Sequence, residues 1–153
     1  DYAGDYIGIG PVGASSVDRW QNFVYTREGS PAAVQVPPAP GTYVITYFLG
    51  QDRTPLAQTE LQVSAPEVSL SAPSSAAAGS LLPLDWTGPD YAGDYIGIGP
   101  ADATGPARWQ AYVYTRAGSP ARLALPEAPG AYMIRYFLAQ DRTPIAETPI
   151  TLQ

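Results

Sequence analysis

The stretch Asp90-Tyr-Ala-Gly-Asp-Tyr-Ile-Gly-Ile-Gly-Pro100 repeats the opening residues Asp1 to Pro11 without a change. Placing Asp1 on Asp90 sets an offset of 89 positions. At that offset residues 1–64 align with 90–153 without a gap, and 39 of the 64 positions are identical. Trp20 meets Trp109, Tyr25-Thr-Arg27 meets Tyr114-Thr-Arg116, and Gln51 to Pro55 meets Gln140 to Pro144. Self-similarity at a fixed period marks a repeated structural unit. Residues 65–89 occur once, so 65–153 reads as a complete unit and 1–64 as the same unit without its first residues. The chain is therefore expected to be a window on a longer array.

Strand signals fill the complete unit. Glu67 to Pro73 alternates polar and apolar residues (strand A), and Ser74 to Gly79 reads as a loop. Leu82, Leu84 and Trp86 share one face of strand B, where Pro83 is acceptable at an edge or a bulge. Strand C covers Tyr95 to Gly99, with glycines suited to close packing or a bulge. Strands C′ (Trp109 to Tyr114), E (Arg122 to Leu125), F (Ala131 to Ala139) and G (Ile145 to Leu152) follow. Short strands with regular turn signals, and no sustained 3.6-residue period, predict an all-β fold. The expected form is a tandem of immunoglobulin-like, fibronectin III-like sandwiches. Residues 1–64 would lack strands A and B, exposing apolar surface from Ile7, Ile9, Tyr43, Ile45 and Tyr47 unless an upstream segment or a neighbouring chain supplies those strands. Tyr132, after Pro129-Gly-Ala, sits where such folds place a tyrosine corner, as does Tyr43. A plain core tyrosine is the alternative.

Composition narrows the function. Apolar residues make up 45 % of the chain and charged residues 14 %, below the ~25 % usual for soluble domains. The net charge of −6 speaks against nucleic acid and anionic membrane surfaces, which select for clustered positive charge. No apolar run is long enough to span a bilayer. Cysteine and histidine are absent, which removes the usual zinc, haem and iron–sulfur ligands and the imidazole of Ser-His-Asp or Cys-His catalysis. No cofactor, metal site or catalytic residue is expected.

Several local patterns resemble known modules. Trp86-Thr-Gly-Pro-Asp-Tyr-Ala-Gly-Asp-Tyr-Ile-Gly-Ile-Gly-Pro100, Leu125-Pro-Glu-Ala-Pro-Gly-Ala-Tyr-Met-Ile-Arg-Tyr136 and Ile145-Ala-Glu-Thr-Pro-Ile-Thr-Leu152 carry the resemblance. Together they resemble repeats near the C-terminus of bacterial proteins that carry a von Willebrand factor type A domain. They are more loosely similar to fibronectin III-like and SKICH-type modules. The resemblance implies fold more than function. The type A domain's Asp-x-Ser-x-Ser metal motif is absent here, so its metal-dependent adhesion does not follow.

Candidate sites weigh as follows. Asp90 and Asp94, with Asp1 and Asp5, are the residue type of a Ca²⁺ loop, but their spacing fits no EF-hand and Asp before a strand is a common turn residue. A glycosidase carboxylate pair needs a cleft that a packed sandwich lacks. Gly97 and Gly99 do not complete a dinucleotide fingerprint. Trp86 and Trp109 could stack sugars, but their alternation favours the core. Sandwich topology gathers the B–C (88–94), C′–E (115–120) and F–G (140–143) loops at one end, bringing Asp94, Arg116, Asp141 and Arg142 together. An ion-pair network is one reading of these charges. A junction is another: the short link 64–67 would bring them to residues 12–18 or 37–41 of the preceding unit. A partner-binding face is the third. The expected function is a structural or assembly module of a longer bacterial extracellular, periplasmic or cell-surface protein, self-associating into fibres by strand donation. The alternative is adhesion to a glycan or another envelope protein through these loops. Neighbouring repeats or copies of the chain itself are the expected partners.

Overall fold

A computed structural model of the chain describes residues 2, 4–13 and 20–153. The chain divides into two compact units, residues 1–65 and 66–153. Unit one holds β1 (Tyr6–Pro11), β2 (Asn22–Tyr25), β3 (Gly41–Phe48) and β4 (Pro55–Val63). Unit two holds β5 (Ser69–Ser71), β6 (Ser75–Ala76), β7 (Leu81–Thr87), β8 (Tyr95–Pro100), β9 (Ala111–Tyr114), β10 (Ala121–Ala124), β11 (Gly130–Phe137) and β12 (Pro144–Leu152). No α-helix occurs among the described residues; the helical pieces are single 3-10 turns at 26–28, 105–108 and 115–117.

Unit two is sandwich-like. Strands order as β10-β7-β5 in one sheet and β6-β12-β11-β8-β9 in the other. Leu82, Leu84 and Leu123 from the smaller sheet, with Leu125 just after β10, meet Ile96, Ile98, Ile134, Tyr136, Ile150 and Leu152 from the larger in one core. The period-2 alternation of each strand puts these residues on a single face. Pro83 is tolerated in the middle strand β7 because the neighbours cover different halves. β10 pairs with Leu81–Leu84 and β5 with Asp85–Thr87, so at Pro83 the strand has a neighbour on one side only.

Two expectations need correcting. Ser74 to Gly79 is not all loop, since β6 pairs parallel to β12 at Thr151 and Leu152. The chain thus leaves the small sheet after Ser71 and joins the large one by Ser75. Trp109 precedes β9 rather than opening it, and it packs outside the sandwich core. Its ring stands edge-on to Tyr95 at 5.7 Å and to Phe137 at 5.2 Å, on the outer face of the larger sheet. The glycines of β8 make this approach possible. A Cβ on Gly97 would lie 2.9 Å from Trp109 Cβ, and one on Gly99 only 2.4 Å from Arg108 O. Arg135, 4 % exposed, ties the same loop down. It pairs with Glu147 at 2.9 Å and donates to Arg108 O and Ala101 O, each at 3.2 Å.

Unit one repeats only half of this architecture. Its single sheet runs β2-β1-β3-β4, and its pairings match those of β9-β8-β11-β12 at the 89-residue offset. Tyr6 faces Tyr25 and Phe48, as Tyr95 faces Tyr114 and Phe137. The β-bulge between Tyr47 and Phe48 recurs between Tyr136 and Phe137. Residues 32–35 match β10 by offset yet form no strand. The reason is in the ladder: β10 is paired to β7, and no strand among the described residues of unit one lies beside 32–35.

Both tyrosine corners form. Tyr132 Oη donates to Ala128 O at 3.0 Å and Tyr43 Oη to Ala39 O at 2.9 Å, with both rings buried. Each bond closes the turn leading into a central strand of the sheet. Tyr132→Phe is expected to lower the stability of unit two by about 1 kcal/mol, measured by urea unfolding followed on unit-two resonances. A change within error would show that the ring alone holds the turn.

Candidate functional site

Asp94 lies at the end of unit two where the 88–94, 115–120 and 138–143 segments meet. It is buried, 1 % exposed, and its carboxylate is an acceptor hub. Oδ2 accepts from Tyr91 N and Tyr136 Oη, both at 3.1 Å, and Oδ1 from Ala139 N at 2.9 Å. Its own carbonyl accepts from Thr115 N at 3.0 Å and Thr115 Oγ1 at 3.2 Å. One residue therefore ties three loops together. Tyr136 Oη also accepts from Asp90 N at 3.1 Å. Burial foremost, with the adjacent Asp94 charge, holds this phenol far above its ordinary range, so it stays a proton donor.

Asp5 does the same work in unit one. Tyr2 N, Tyr47 Oη and Gly50 N each donate to its carboxylate at 2.9 Å. The Gly50 and Tyr2 amides, with the Tyr47 hydroxyl, hold Asp5 below its ordinary value of 3.8. A carboxylate with a depressed folded-state pKa contributes stability above its unfolded value and loses it as pH falls through the folded one.

The other three candidates are not part of a charge cluster. Asp141 Oδ1 caps its own turn by accepting from Thr143 N at 2.9 Å. Arg116 lies over the Tyr114 ring at 4.9 Å. Arg142 sits at φ 58°, in the left-handed region, with its amide bonded to Leu138 O at 2.9 Å and its carbonyl accepting from Arg108 Nη2 at 3.4 Å. Among the described residues Asp94, Arg116, Asp141 and Arg142 make no ion pair, and the pair that forms is Arg135–Glu147. The ion-pair reading of this end is thus replaced by a hub of neutral donors around one buried carboxylate. Residues 14–18 of the expected junction, and Asp1 of the candidate Ca²⁺ loop, lie outside the described residues. Among the described residues no cluster of acids suits a metal, and no helix is long and apolar enough to cross a membrane.

Two concave surfaces among the described residues bear on this end and on the sheet of unit one. The first, of about 290 Å³, lies beside the hub and is lined by Gly93, Tyr95, Trp109, Tyr112, Tyr114, Ala139 and Arg142. Tyr112 is 52 % exposed and presents its ring to solvent. Tyr95 stacks on Phe137 at 4.9 Å, and its hydroxyl is buried without a hydrogen-bond partner among the described residues. Sequence reasoning missed this surface, because Tyr95 and Tyr112 alternate like core residues and only the register shows that they face outward. The second, also about 290 Å³, opens on the apolar face of unit one between Ile7, Thr26, Gly29, Ser30, Ala32 and Tyr47.

That apolar face is the main difference between the units. Ile96, Ile134 and Tyr136 are 0 % exposed, whereas their counterparts Ile7, Ile45 and Tyr47 are only half-buried. Ile9 and Tyr43, expected to be exposed, are in fact buried; the corner bond to Ala39 holds Tyr43 under the 39–42 turn. Val36 is exposed where Leu125 is buried. No family model, curated protein or solved structure matches the chain.

Two outcomes follow from the hubs. Asp94→Ala strands two backbone amides and a phenol and should cost roughly 2–4 kcal/mol, whereas Asp141→Ala, on an exposed turn, should stay within about 1 kcal/mol. Equal effects in thermal unfolding would remove the hub's special status. In acid, unit one should weaken as pH falls below 3.8, and Asp5→Asn should flatten that limb. An acid limb identical in the variant would assign the loss to another carboxylate.

Proposed function

We propose that the chain is a non-catalytic structural repeat that assembles by strand donation. Its modules are tandem immunoglobulin-like, fibronectin III-like sandwiches on an 89-residue period, with 1–64 the partial repeat and 65–153 the complete one. In keeping with the resemblance to repeats that accompany von Willebrand factor type A domains, the parent is a longer bacterial protein outside the cytoplasm. The single observation behind the reading is the half-covered sheet of unit one. The same face in unit two is closed by β7 with its flanking strands. A donor carrying the pattern of residues 66–87, supplied by a neighbouring repeat, would pair with residues 32–35 as β7 pairs with β10. It would also bury counterparts of Leu82 and Leu84, each contributing roughly 1.5–3 kcal/mol. An apolar sheet face left open in water invites association.

The test is sedimentation of the chain alone and with a synthetic peptide of residues 66–89. Association should rise with concentration, and excess peptide should suppress it while raising hydrogen-exchange protection at Ala32–Gln35. A chain that stays monomeric at every concentration and gains no protection there would sink the reading.

A second reading, adhesion to a glycan or an envelope protein, is favoured by the aromatic pocket beside the loop hub. Its exposed tyrosines offer stacking faces, and Arg142 offers donors. Arg142 and its counterpart Arg53 (φ 62°) both occupy the left-handed region, where glycine fits without cost. That strain is sustained at the rim of the pocket, as strained residues at binding sites often are.

A further inference from the structure

Tyr95, on the outer face of the larger sheet of unit two, is 9 % exposed, and its buried hydroxyl has no hydrogen-bond partner among the described residues. Buried polar groups are nearly always satisfied, so one left over at the wall of a pocket points to what the pocket takes. The ring is firmly placed. It stacks on Phe137 at 4.9 Å and meets Trp109 and Tyr112 edge-on, each at 5.7 Å. Burial foremost raises this phenol above its ordinary range, against the opposing charges of Arg142 and Arg108, so it remains an O–H donor. Those two guanidiniums make the surroundings of the hydroxyl positive in a chain of net charge −6. Arg108 is engaged: it lies over the Phe137 ring at 5.6 Å and donates to Gly105 O and Arg142 O. Arg142 lines the pocket and has no ion-pair partner among the described residues. Tyr112 completes the site with a ring that is half open to solvent.

We infer that this pocket binds an acidic sugar, a pyranose bearing a carboxylate. The carboxylate pairs with the Arg142 guanidinium, the C–H face of the ring lies on Tyr112, and a ring hydroxyl accepts the proton offered by Tyr95. This inference rests on the adhesion reading and names the ligand chemistry of that site. Each part of the pocket matches one part of the ligand. A guanidinium recognises a carboxylate through two parallel N–H donors. An aromatic face takes the apolar side of a sugar ring while its hydroxyl stays at the wet edge. The buried phenol takes a neutral hydroxyl, which a simple anion lacks. The volume of about 290 Å³ lies at the foot of the range for small-molecule sites and suits a single ring better than a peptide strand. Unit one offers a graded comparison. The Tyr6 hydroxyl is likewise buried without a partner among the described residues, but Phe23 stands where unit two has Tyr112, and Arg53 lies over the Trp20 ring at 5.8 Å. A guanidinium held on an indole is less free to take a carboxylate, so unit two is the stronger site.

The test is amide and indole NMR of the intact chain, titrated with methyl glucuronide, methyl glucoside and N-acetylglutamate amide. The glucuronide should shift the signals of Gly93, Trp109, Tyr112 and Ala139, and Arg142→Gly should weaken its binding at least about tenfold. Glycine suits the φ of 58° at that position, so this variant should fold as the parent does. Tyr95→Phe separates binding from packing. Removing an unpartnered buried hydroxyl should leave thermal stability unchanged or raised, while glucuronide binding falls by roughly threefold to tenfold. Glucuronide binding unchanged in either variant would overturn the assignment. Equal binding of the glucoside would overturn the acidic class and leave adhesion to glycans standing. Shifts from the glutamate amide without any from the glucuronide would overturn the sugar and leave adhesion to a protein standing. No shift at these residues from any probe would overturn the inference, and a glycan array still bound by the chain would then place adhesion elsewhere.

Discussion

A β-sheet with one apolar face needs that face covered, and this constraint orders the whole molecule. In unit two the cover is the segment 66–87. It contributes Leu82, Leu84 and Trp86 to the core and gives β10 the partner that makes it a strand. Unit one carries nearly the same sheet without that segment, and two consequences appear together. Ile7 and Ile45 stay half-covered, and residues 32–35 remain outside any ladder. The second shows that strand formation here is set by pairing rather than by local propensity. Ala32 and Val34 alternate as Ala121 and Leu123 do, but only the latter have β7 beside them.

The loop hubs do not share this dependence. Asp5 and Asp94 make the same three carboxylate contacts at the same offset, although only one of them belongs to a closed sandwich. Their donors come from the loop before the strand and from the central strand with the turn after it, all within one sheet. The sheet with its hub is thus a self-consistent half-module, and the second sheet is an addition to its apolar face. The hub therefore forms in both units although their apolar faces differ in cover.

How much was legible in the sequence depended on range. Strand positions followed from alternation, and the tyrosine corners from the Pro-Gly-x-Tyr placement, because both are local patterns. The part played by Asp94 was hidden. An Asp before a strand looks like any turn residue, and its donors Tyr136 and Ala139 lie more than forty positions away. β6 was hidden as well, since two residues of a Ser/Ala-rich stretch carry no periodic signal and their pairing is parallel to the far end of the chain. Trp109 was misplaced because alternation tells which residues share a face but not which face is the core.

The edges of unit one explain why a donor would enter by the face rather than by simple edge addition. β4 is the last strand of its sheet, and a long bare edge is an aggregation hazard. It carries Glu60 where β12 carries Pro149. A charge and a missing N–H are two different ways of discouraging an added strand. In unit two the segment 66–87 serves face and edge at once: β7 closes the apolar face while β6 pairs with the end of β12. Under the strand-donation proposal, a donor of the same pattern would reach the end of β4 at Gln62 and Val63 while its leucines lay across the apolar face. An edge-only strand would satisfy β4 and leave Ile7, Ile45 and Tyr47 in water. The strand-donation proposal therefore places the donor across the apolar face, where an edge-only strand would bury less.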